Sequence, residues 1–282
     1  MSSVKEKNVC VISMARNDKV FIQKWIEYYG REFGKENLFL ILDGHDQPIP
    51  ENSHEINLIK VPHKVLNRSA GDRSRSKLVS KFAQGLFYRY DRVIALDIDE
   101  FLIIDPKLNI SLKKYLNGKF MSSSISALGL DVGQHVKEED PIDLNQPFLE
   151  QRSYAHISPR YTKPIIAFKP ITWGGGYHRV KWENFKIDPN LFLFHFGMVD
   201  YELATEKTND DSRLNEGWSA HLNRRKNLFN LIENSPSING DEIFASARRN
   251  QTYFRAFFAP NKPGKLIGNS IVKIPKRFQK IV

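Results

Sequence analysis

The first hundred residues alternate between short, continuously apolar runs and longer stretches in which apolar residues recur every three or four positions. Four runs of the first kind predict β-strands over 8–13, 38–42, 56–61 and 92–96. Two stretches of the second kind predict amphipathic helices, which follow the first and the third strand. The order β-α-β-β-α-β predicts an α/β fold with a mixed, largely parallel sheet flanked by helices.

The pattern after residue 106 is less regular. It predicts a short helix at 110–116, strands at 124–130 and 191–196, and an edge strand or strand pair at 163–172. The stretch 201–258 then has a mostly helical pattern. We therefore expect a mostly helical C-terminal extension after the sheet-forming region.

The end of the chain differs from the rest in its charge. Between Pro260 and Val282 there are five lysines, one arginine and no acidic residue. We expect an α/β domain at 1–200, a helical extension packed on it at 201–260, and a basic tail at 261–282. Such a tail favours a solvated surface or a peripheral contact with anionic lipid.

The composition excludes several classes of protein. With 41% hydrophobic and 26% charged residues over 282 positions, the chain is not intrinsically disordered. The single cysteine, Cys10, excludes a disulfide scaffold, and its apolar surroundings predict a core residue. No apolar run reaches the ~20 residues of a membrane span, and we expect a cytoplasmic protein. The net charge of +10 favours an anionic partner.

Polar residues follow three of the predicted strands. They are Arg16 with Asn17, Asp43, and the pair Asp97 and Asp99. Ligands of parallel sheets bind beyond the carboxyl ends of the strands, so these side chains are expected to converge. Two carboxylates on one side of a strand repel each other unless a cation lies between them, and Mg²⁺ or Mn²⁺ prefers such oxygen ligands. Asp97 and Asp99 therefore predict a metal–diphosphate site. The alternative is that the two acids only mark the end of a strand.

Several stretches, taken in order, resemble nucleotide-sugar-dependent glycosyltransferases of the GT-A fold, in the family-2-like group with a D-x-D-E-F motif. They are ISMARNDKVFIQKWIEYYGREFG, LFLILDG, the helix leading into DIDEF, and the later YHRV and LFLFHFG. The resemblance spans about residues 8–199 and implies a GT-A-like (Rossmann-like) fold. One departure is DGHDQ after the second strand, where the family usually has N/D-x-S-x-D.

The resemblance implies roles for the polar residues near the strand ends. Arg16, Asn17 and Asp43 would hold the base and the ribose of the nucleotide. Asp72 and Arg75, at the start of the helix before the D-x-D motif, would contact the nucleotide too, and a cation there suits a diphosphate.

The resemblance also implies a metal site and a lid. Asp97 would contact the ribose or the metal shell, Asp99 would bind the metal, and His195 would be an additional ligand, with a core histidine as the alternative. His178, after a triple glycine, would belong to a lid, and the neighbouring Trp173 would offer a flat face to a sugar ring. The alternative for His178 is an ordinary turn, and the alternative for Trp173 is packing in the core.

The catalytic base is sought among the later acids. An inverting transfer needs a carboxylate that removes the proton of the acceptor hydroxyl. Asp131 is the first choice because the acceptor-side acid of this fold follows the metal strand by one further strand. Glu183 and Asp200 are rivals, and a turn residue is the alternative for Asp131.

Together these features predict a Mn²⁺- or Mg²⁺-dependent glycosyltransferase. The resemblance implies that the domain at 1–200 is a GT-A-like glycosyltransferase. It would move a sugar from a nucleoside-diphosphate sugar, a UDP-sugar being favoured, to a glycan or other hydroxyl acceptor, and by the same resemblance it would do so with inversion and in surface polysaccharide assembly. One alternative is a nucleic-acid-binding protein that uses the aromatic and basic residues near 253–258, although no nucleic-acid motif is present. A nucleotidyltransferase is another, but its glycine- and lysine-rich loop is replaced here by MARND.

Overall fold

The computed structural model describes residues 6–208, 219–268 and 270–282. Within these ranges the strands join in one eleven-stranded sheet. The strands are β1 (Val9–Ala15), β2 (Leu38–Asp43), β3 (Asn57–Val61), β4 (Arg92–Ala95), β5 (Glu100–Ile104), β6 (Ser124–Gly133), β7 (Tyr154–Ile157), β8 (Ile166–Ala167), β9 (Ile187–Met198), β10 (Ile238–Asn239) and β11 (Ile271–Lys273). The α-helices of the same ranges are α1 (Lys19–Phe33), α2 (Arg68–Leu86), α3 (Leu112–Leu116), α4 (Phe148–Gln151), α5 (Tyr201–Thr208), α6 (Ser219–Asn234) and α7 (Gly240–Tyr253).

The N-terminal half of the sheet is parallel, in the spatial order β3-β2-β1-β4. Side chains of β1 alternate between the two faces, as the two-residue period of a strand requires. Val9 and Val11 join the core beneath α1, whereas Cys10 and Ile12 join the core beneath α2. Helices therefore cover both faces, and the predicted α/β fold with a mixed, largely parallel sheet is confirmed.

The two long helices begin and end at residues with identifiable signals. α1 ends at Gly34, whose φ of 89° suits a residue without a Cβ. α2 begins earlier than its apolar spacing predicts, because the Asn67 side chain accepts a hydrogen bond from the backbone N–H of Ala70 and caps the helix there. Asp72 consequently lies inside α2 rather than at its start, and this corrects the prediction.

The second half of the sheet mixes parallel and antiparallel pairs. β9 pairs antiparallel with β5 and parallel with β6, so it lies between them. Both β6 and β9 extend beyond their predicted ends, to Gly133 and Met198. The strand expected over 163–172 is confined to β8, since Pro164 and Pro170 lack the N–H that a ladder needs.

The C-terminal segment is part of the folded structure in its described residues. β11 pairs with β7 and β10, and Ile271, Val272 and Phe278 are almost fully buried. This differs from the basic tail that the sequence predicts, because apolar residues spaced among the lysines pack on the core. Before it, α5, α6 and α7 agree with the predicted helical stretch, and no helix among the described residues is long and apolar enough to span a membrane.

Candidate functional site

A cavity of about 230 Å³ opens at the carboxyl ends of β1, β2 and β4. Its wall also includes the N-terminal turns of α2, the segment between β7 and β8, and the turn near residue 176. The predicted site residues that line it are Arg16, Asn17, Asp43, Asp72, Arg75, Asp97, Asp99, His178 and His195. Parallel strands deliver their following residues to one edge of the sheet, and this explains the convergence.

The ends of β1 and β2 are tied together by polar side chains. Arg16 donates to the backbone carbonyl of Asp43 at 2.7 Å and pairs with the Asp46 carboxylate at 2.9 Å. Asn17 and Gln47 exchange two hydrogen bonds, each 2.8 Å long. Asp46 and Gln47 belong to the DGHDQ segment, so the departure from the family pattern supplies the partners of the predicted pair. Asp43 itself faces His63, with 3.1 Å between Oδ2 and Nδ1.

A buried network of charges forms the floor of the cavity. Asp97 forms two ion pairs, with Arg75 2.9 Å from Oδ1 and with the Lys163 ammonium 2.8 Å from Oδ2. Lys163 also pairs with Glu100 at 2.5 Å, although its side chain is 2% exposed and that of Glu100 is 0% exposed. Arg75 reaches back along α2 to Asp72 at 3.3 Å. Each buried charge in this network therefore lies against an opposite charge, as burial requires.

Burial and charge pairing act in opposite directions on the pKa values of this network. Burial lowers the pKa of Lys163, but the carboxylates of Asp97 and Glu100 outweigh it and raise that pKa to about 12. Burial raises the pKa of Glu100 to about 7, against the opposing effect of Lys163. For Asp97, burial is outweighed by Arg75 and Lys163, and its pKa is lowered. Asp97 is thus an ionised carboxylate fixed between two cations.

Three neighbouring strands bring a histidine between two carboxylates. In the pairing register, His195 on β9 lies opposite Glu100 on β5 and opposite Asp131 on β6. The Asp131 Oδ1 atom is 2.6 Å from Nδ1 of His195, and the Asp99 Oδ2 atom is 3.3 Å from Nε2. Since a carboxylate only accepts, Nδ1 carries the proton that it donates to Asp131, and Nε2 faces the acidic oxygen of Asp99.

The ring of His195 is held in place by Tyr161. The two rings stack with their centroids 3.8 Å apart and 16° between their planes. The segment that carries Tyr161 lies directly on Gly129 of β6, where an added Cβ would stand 2.2 Å from the Tyr161 carbonyl carbon. Glycine at 129 therefore permits the close approach that fixes Tyr161, and through it the orientation of His195.

The donor set at this point suits a divalent cation with an incomplete protein shell. Asp99 and His195 converge from two sides, and the Asp131 partner of Nδ1 is the kind of outer contact that orients metal-binding histidines. Among the described residues, no group of three or more His, Cys, Asp or Glu is arranged to hold a metal. Both carboxylate oxygens of Asp97 lie against cations, Arg75 and Lys163, and its role as a metal ligand stays a prediction. Water or phosphate oxygens would have to complete the shell, as they commonly do for Mg²⁺.

His178, predicted for a lid, and Trp173, predicted for a sugar contact, lie in different environments. His178 lines the cavity, and its Nδ1 lies 3.0 Å from the backbone carbonyl of Arg160. Burial, together with the nearby Lys163 cation, lowers the pKa of His178 to about 3, so its ring is neutral. Trp173 is 2% exposed and donates its indole N–H to the carbonyl of Pro164. Its ring packs in the core beneath α2, and the predicted contact with a sugar is wrong for this structure.

None of the acids predicted as catalytic base lines the cavity. Asp131 lies within β6 rather than after it, and its carboxylate is held by His195. Glu183 pairs with Lys169 at 3.1 Å. Asp200 is 3% exposed, pairs with Arg152, and accepts the first N–H groups of α5. The Asp131 carboxylate therefore contacts His195 rather than the cavity, and the other two acids have structural partners.

Several site residues escaped the sequence analysis. Lys163 begins the segment predicted as an edge strand, and Tyr161 precedes it. In the structure both lie in an irregular segment between β7 and β8, and nothing in the sequence pattern marks either as a site residue. His63 follows β3, the one parallel strand of the N-terminal half whose end was not considered. The rule that ligands bind beyond the carboxyl ends of parallel strands could have found His63, but no sequence signal identifies Lys163.

Neither a protein-family model nor a curated protein matches the chain. Solved structures match it distantly. The apo structure of the bifunctional glycosyltransferase WbbM matches 46% of this chain over 24% of its own, with 16% identity and a TM-score of 0.26. A mannose-1-phosphate geranyltransferase from Thermus thermophilus matches 95% over 74% of its own, with 12% identity and a TM-score of 0.31. The mannosyltransferase PcManGT from Pyrobaculum calidifontis, in complex with GDP-Man and Mn²⁺, matches 88% over 81% of its own, with 10% identity and a TM-score of 0.36. At these TM-scores the likenesses carry no argument about the chemistry of this chain.

Proposed function

We propose that this protein transfers a sugar from a nucleoside-diphosphate sugar to a hydroxyl acceptor, with a divalent cation held by Asp99 and His195. One observation supports the proposal above all. The Asp99–His195 pair and a set of cationic side chains face the same cavity at the carboxyl ends of parallel strands. A diphosphate is the ligand whose charge and size require both a metal and cations in one place.

The charges of the cavity wall fit an anionic ligand only when a metal is added. The lining includes six Lys and Arg residues and five Asp residues, which leaves one net positive charge. Most of these cations already have carboxylate partners, including Arg75 and Lys163 on Asp97. Lys64 and Arg160 lie exposed at the edge of the cavity, where they could meet phosphate oxygens. A divalent cation would supply the remaining positive charge.

The residues of the chain have separable tasks in this proposal. Arg16 and Asn17, fixed by Asp46 and Gln47, would bind the base and ribose at the ends of β1 and β2. Asp131 orients His195 so that Nε2 faces the metal position. The cation, when bound, would stabilise the charge that develops on the departing diphosphate.

The stereochemistry of the transfer and the identity of the acceptor rest on the family resemblance. None of the three predicted base carboxylates faces the cavity, so the inverting outcome stays a prediction from the family resemblance. The preference for UDP, the glycan acceptor and a place in surface polysaccharide assembly stay predictions on the same ground.

Thermal unfolding with a panel of nucleoside diphosphates tests the proposal. A ligand at 100 times its Kd raises the free energy of unfolding by about 2.7 kcal/mol, which corresponds to roughly 5 °C or more in Tm for a chain of this size. We expect such a shift with one diphosphate in the presence of Mn²⁺ and its loss when a chelator replaces the metal.

Two variants control this experiment. Asp99→Asn removes one charge from the metal pair and should abolish the Mn²⁺-dependent shift. Asp140→Asn makes the same change at an exposed position outside the cavity and should leave the shift intact. If no diphosphate shifts the Tm with Mn²⁺, or if Asp99→Asn responds like wild type, the proposed function is wrong.

A further inference from the structure

Five large aromatic side chains near the C-terminal end of α7 face solvent instead of the core. Phe257 is 100% exposed, Phe258 is 90% exposed, Tyr253 is 75% exposed and Phe254 is 54% exposed. Trp182, from the loop before β9, is 96% exposed. We call these five residues the aromatic patch. Exposed aromatic residues that are clustered, in contrast to single ones, mark a surface that another phase or molecule covers.

The two segments that carry the aromatic patch are joined by hydrogen bonds. Arg255 donates to the backbone carbonyl of Phe185 at 3.4 Å, and Asn261 donates to that of Val180 at 3.1 Å. Behind them, the backbone at Gly264 packs directly on that of Phe254, where a Cβ would stand 2.5 Å from the carbonyl carbon. The loop that bears the two phenylalanines is therefore folded back on itself and anchored beside the Trp182 loop.

The backbone of Trp182 is held in an unusual conformation. Its φ is 65°, in the left-handed region that bulky side chains rarely occupy. Such a conformation is strained, and burial of the indole does not offset the strain. Strain that leaves an apolar ring in solvent points to a contact outside the chain.

The charges around the aromatic patch are mostly positive. From 243 to 282 there are nine Lys and Arg residues and no Asp or Glu. The exposed cations on the two joined segments are Arg179, Lys181, Lys186, Arg249, Lys262 and Lys265. The acid of the Trp182 loop, Glu183, is engaged by Lys169. The partner must therefore be anionic as well as able to take up aromatic rings.

We infer that the aromatic patch is an interfacial membrane-docking site for anionic lipid. Trp, Tyr and Phe rings enter the boundary between headgroups and acyl chains, and lysine and arginine around them meet the anionic headgroups. Trp182 follows His178 of the cavity wall by only four residues, so docking would bring the cavity close to the lipid surface.

Other occupants fit the patch less well. Stacking platforms for single-stranded nucleic acid lie along charged grooves that track the backbone. Here, adjacent phenylalanines project almost completely into solvent. A carbohydrate platform would favour carboxylate partners beside the rings, and the exposed charged neighbours are cations.

Co-sedimentation with lipid vesicles tests this inference independently of the proposed function, because it requires no nucleotide, metal or turnover. Vesicles of phosphatidylcholine alone are compared with vesicles that also contain phosphatidylglycerol. The full chain should bind the anionic vesicles and lose binding as salt is raised. The double variant Phe257→Ser/Phe258→Ser should weaken the partition by about tenfold or more. Lys262→Glu/Lys265→Glu should weaken it by at least about fivefold for each lysine.

Met121→Ser provides the matched control, since it removes an apolar side chain that is 97% exposed in another part of the chain and should leave the partition unchanged. Far-UV circular dichroism verifies that each variant is folded. Equal or absent binding to both kinds of vesicle would overturn the inference. So would a patch-dependent dimer in size-exclusion chromatography, or patch-dependent binding of oligo(dT), without anionic vesicle binding.

Discussion

Replacing Lys163 with methionine tests whether the buried charge network is organised as described. Methionine keeps most of the side-chain volume but removes the ammonium group that pairs with Asp97 at 2.8 Å and with Glu100 at 2.5 Å. Asp97 would retain Arg75 at 2.9 Å, whereas Glu100, at 0% exposed, would lose its ion-pair partner. Removing one partner of a buried pair in this way costs about 3–5 kcal/mol.

The loss should depend on pH in a direction that Glu100 sets. Burial raises the pKa of Glu100 in the folded protein from 4.5 to about 7, and loss of Lys163 would raise it further. A carboxyl group with a raised folded-state pKa stabilises the fold at low pH, and this contribution is lost as the pH rises through that pKa. The deficit of Lys163→Met should therefore be largest at pH 8 and narrow at pH 5.5, by up to about 1.4 kcal/mol per pH unit.

Urea unfolding followed by circular dichroism at both pH values measures the effect. Lys169→Met is the matched control, because its ion pair with Glu183 is exposed and should contribute at most about 1 kcal/mol. The double variant Lys163→Met/Glu100→Gln should recover part of the loss, since the buried carboxylate is then absent. A loss at Lys163 no larger than at Lys169, or a deficit that grows as the pH falls, would refute the reasoning.

Three further predictions follow from the same geometry. The pKa of His178 is lowered from 6.5 to about 3 in the folded protein, so the stability that its neutral ring contributes is complete above pH 6.5 and falls by about 1.4 kcal/mol at pH 5.5. The variant His178→Asn should therefore flatten the pH dependence of the free energy of unfolding in urea between pH 7 and 5.5, and an unchanged slope would contradict this. Asp131→Ala should weaken Mn²⁺ affinity by about 10–100-fold in calorimetry with nucleotide present, with partial rescue by Asp131→Asn, whereas unaltered affinity would remove its positioning role. Gly129→Ala should destabilise the fold by about 3 kcal/mol or more, because the added Cβ meets the Tyr161 backbone. Gly85→Ala should instead stabilise α2 by about 0.5–1 kcal/mol, because its Cβ meets nothing within 4 Å. If thermal unfolding shows Gly85→Ala to be the less stable of the two variants, the packing described is contradicted.

Much of the N-terminal half could be predicted because its signals are local. The apolar run of β1 and the three- and four-residue spacing in α1 each predict one element from residues that are close in sequence. The strand ends then follow from the βα order, and Arg16, Asp43 and Asp99 meet in the cavity as that order requires.

The second half was harder to predict because its contacts are distant in sequence. Asp131 was expected after a strand, but pairing with β9 extends β6 through it, and only that pairing places it on His195. Lys163 has no periodic neighbours, and its position depends on Asp97, which lies 66 residues earlier. Trp173 has a flat apolar ring that would suit a binding site, yet it packs in the core beneath α2.

The proposed function requires that Asp99 and His195 hold a divalent cation beside a nucleotide in the cavity. Anomalous diffraction from crystals grown with Mn²⁺ and the diphosphate that gives the largest thermal shift tests it most directly. We expect a manganese peak beside Asp99 and His195, with the diphosphate near it and the base near Arg16 and Asn17. A nucleotide bound without manganese at this pair, or manganese bound at other residues, would contradict it.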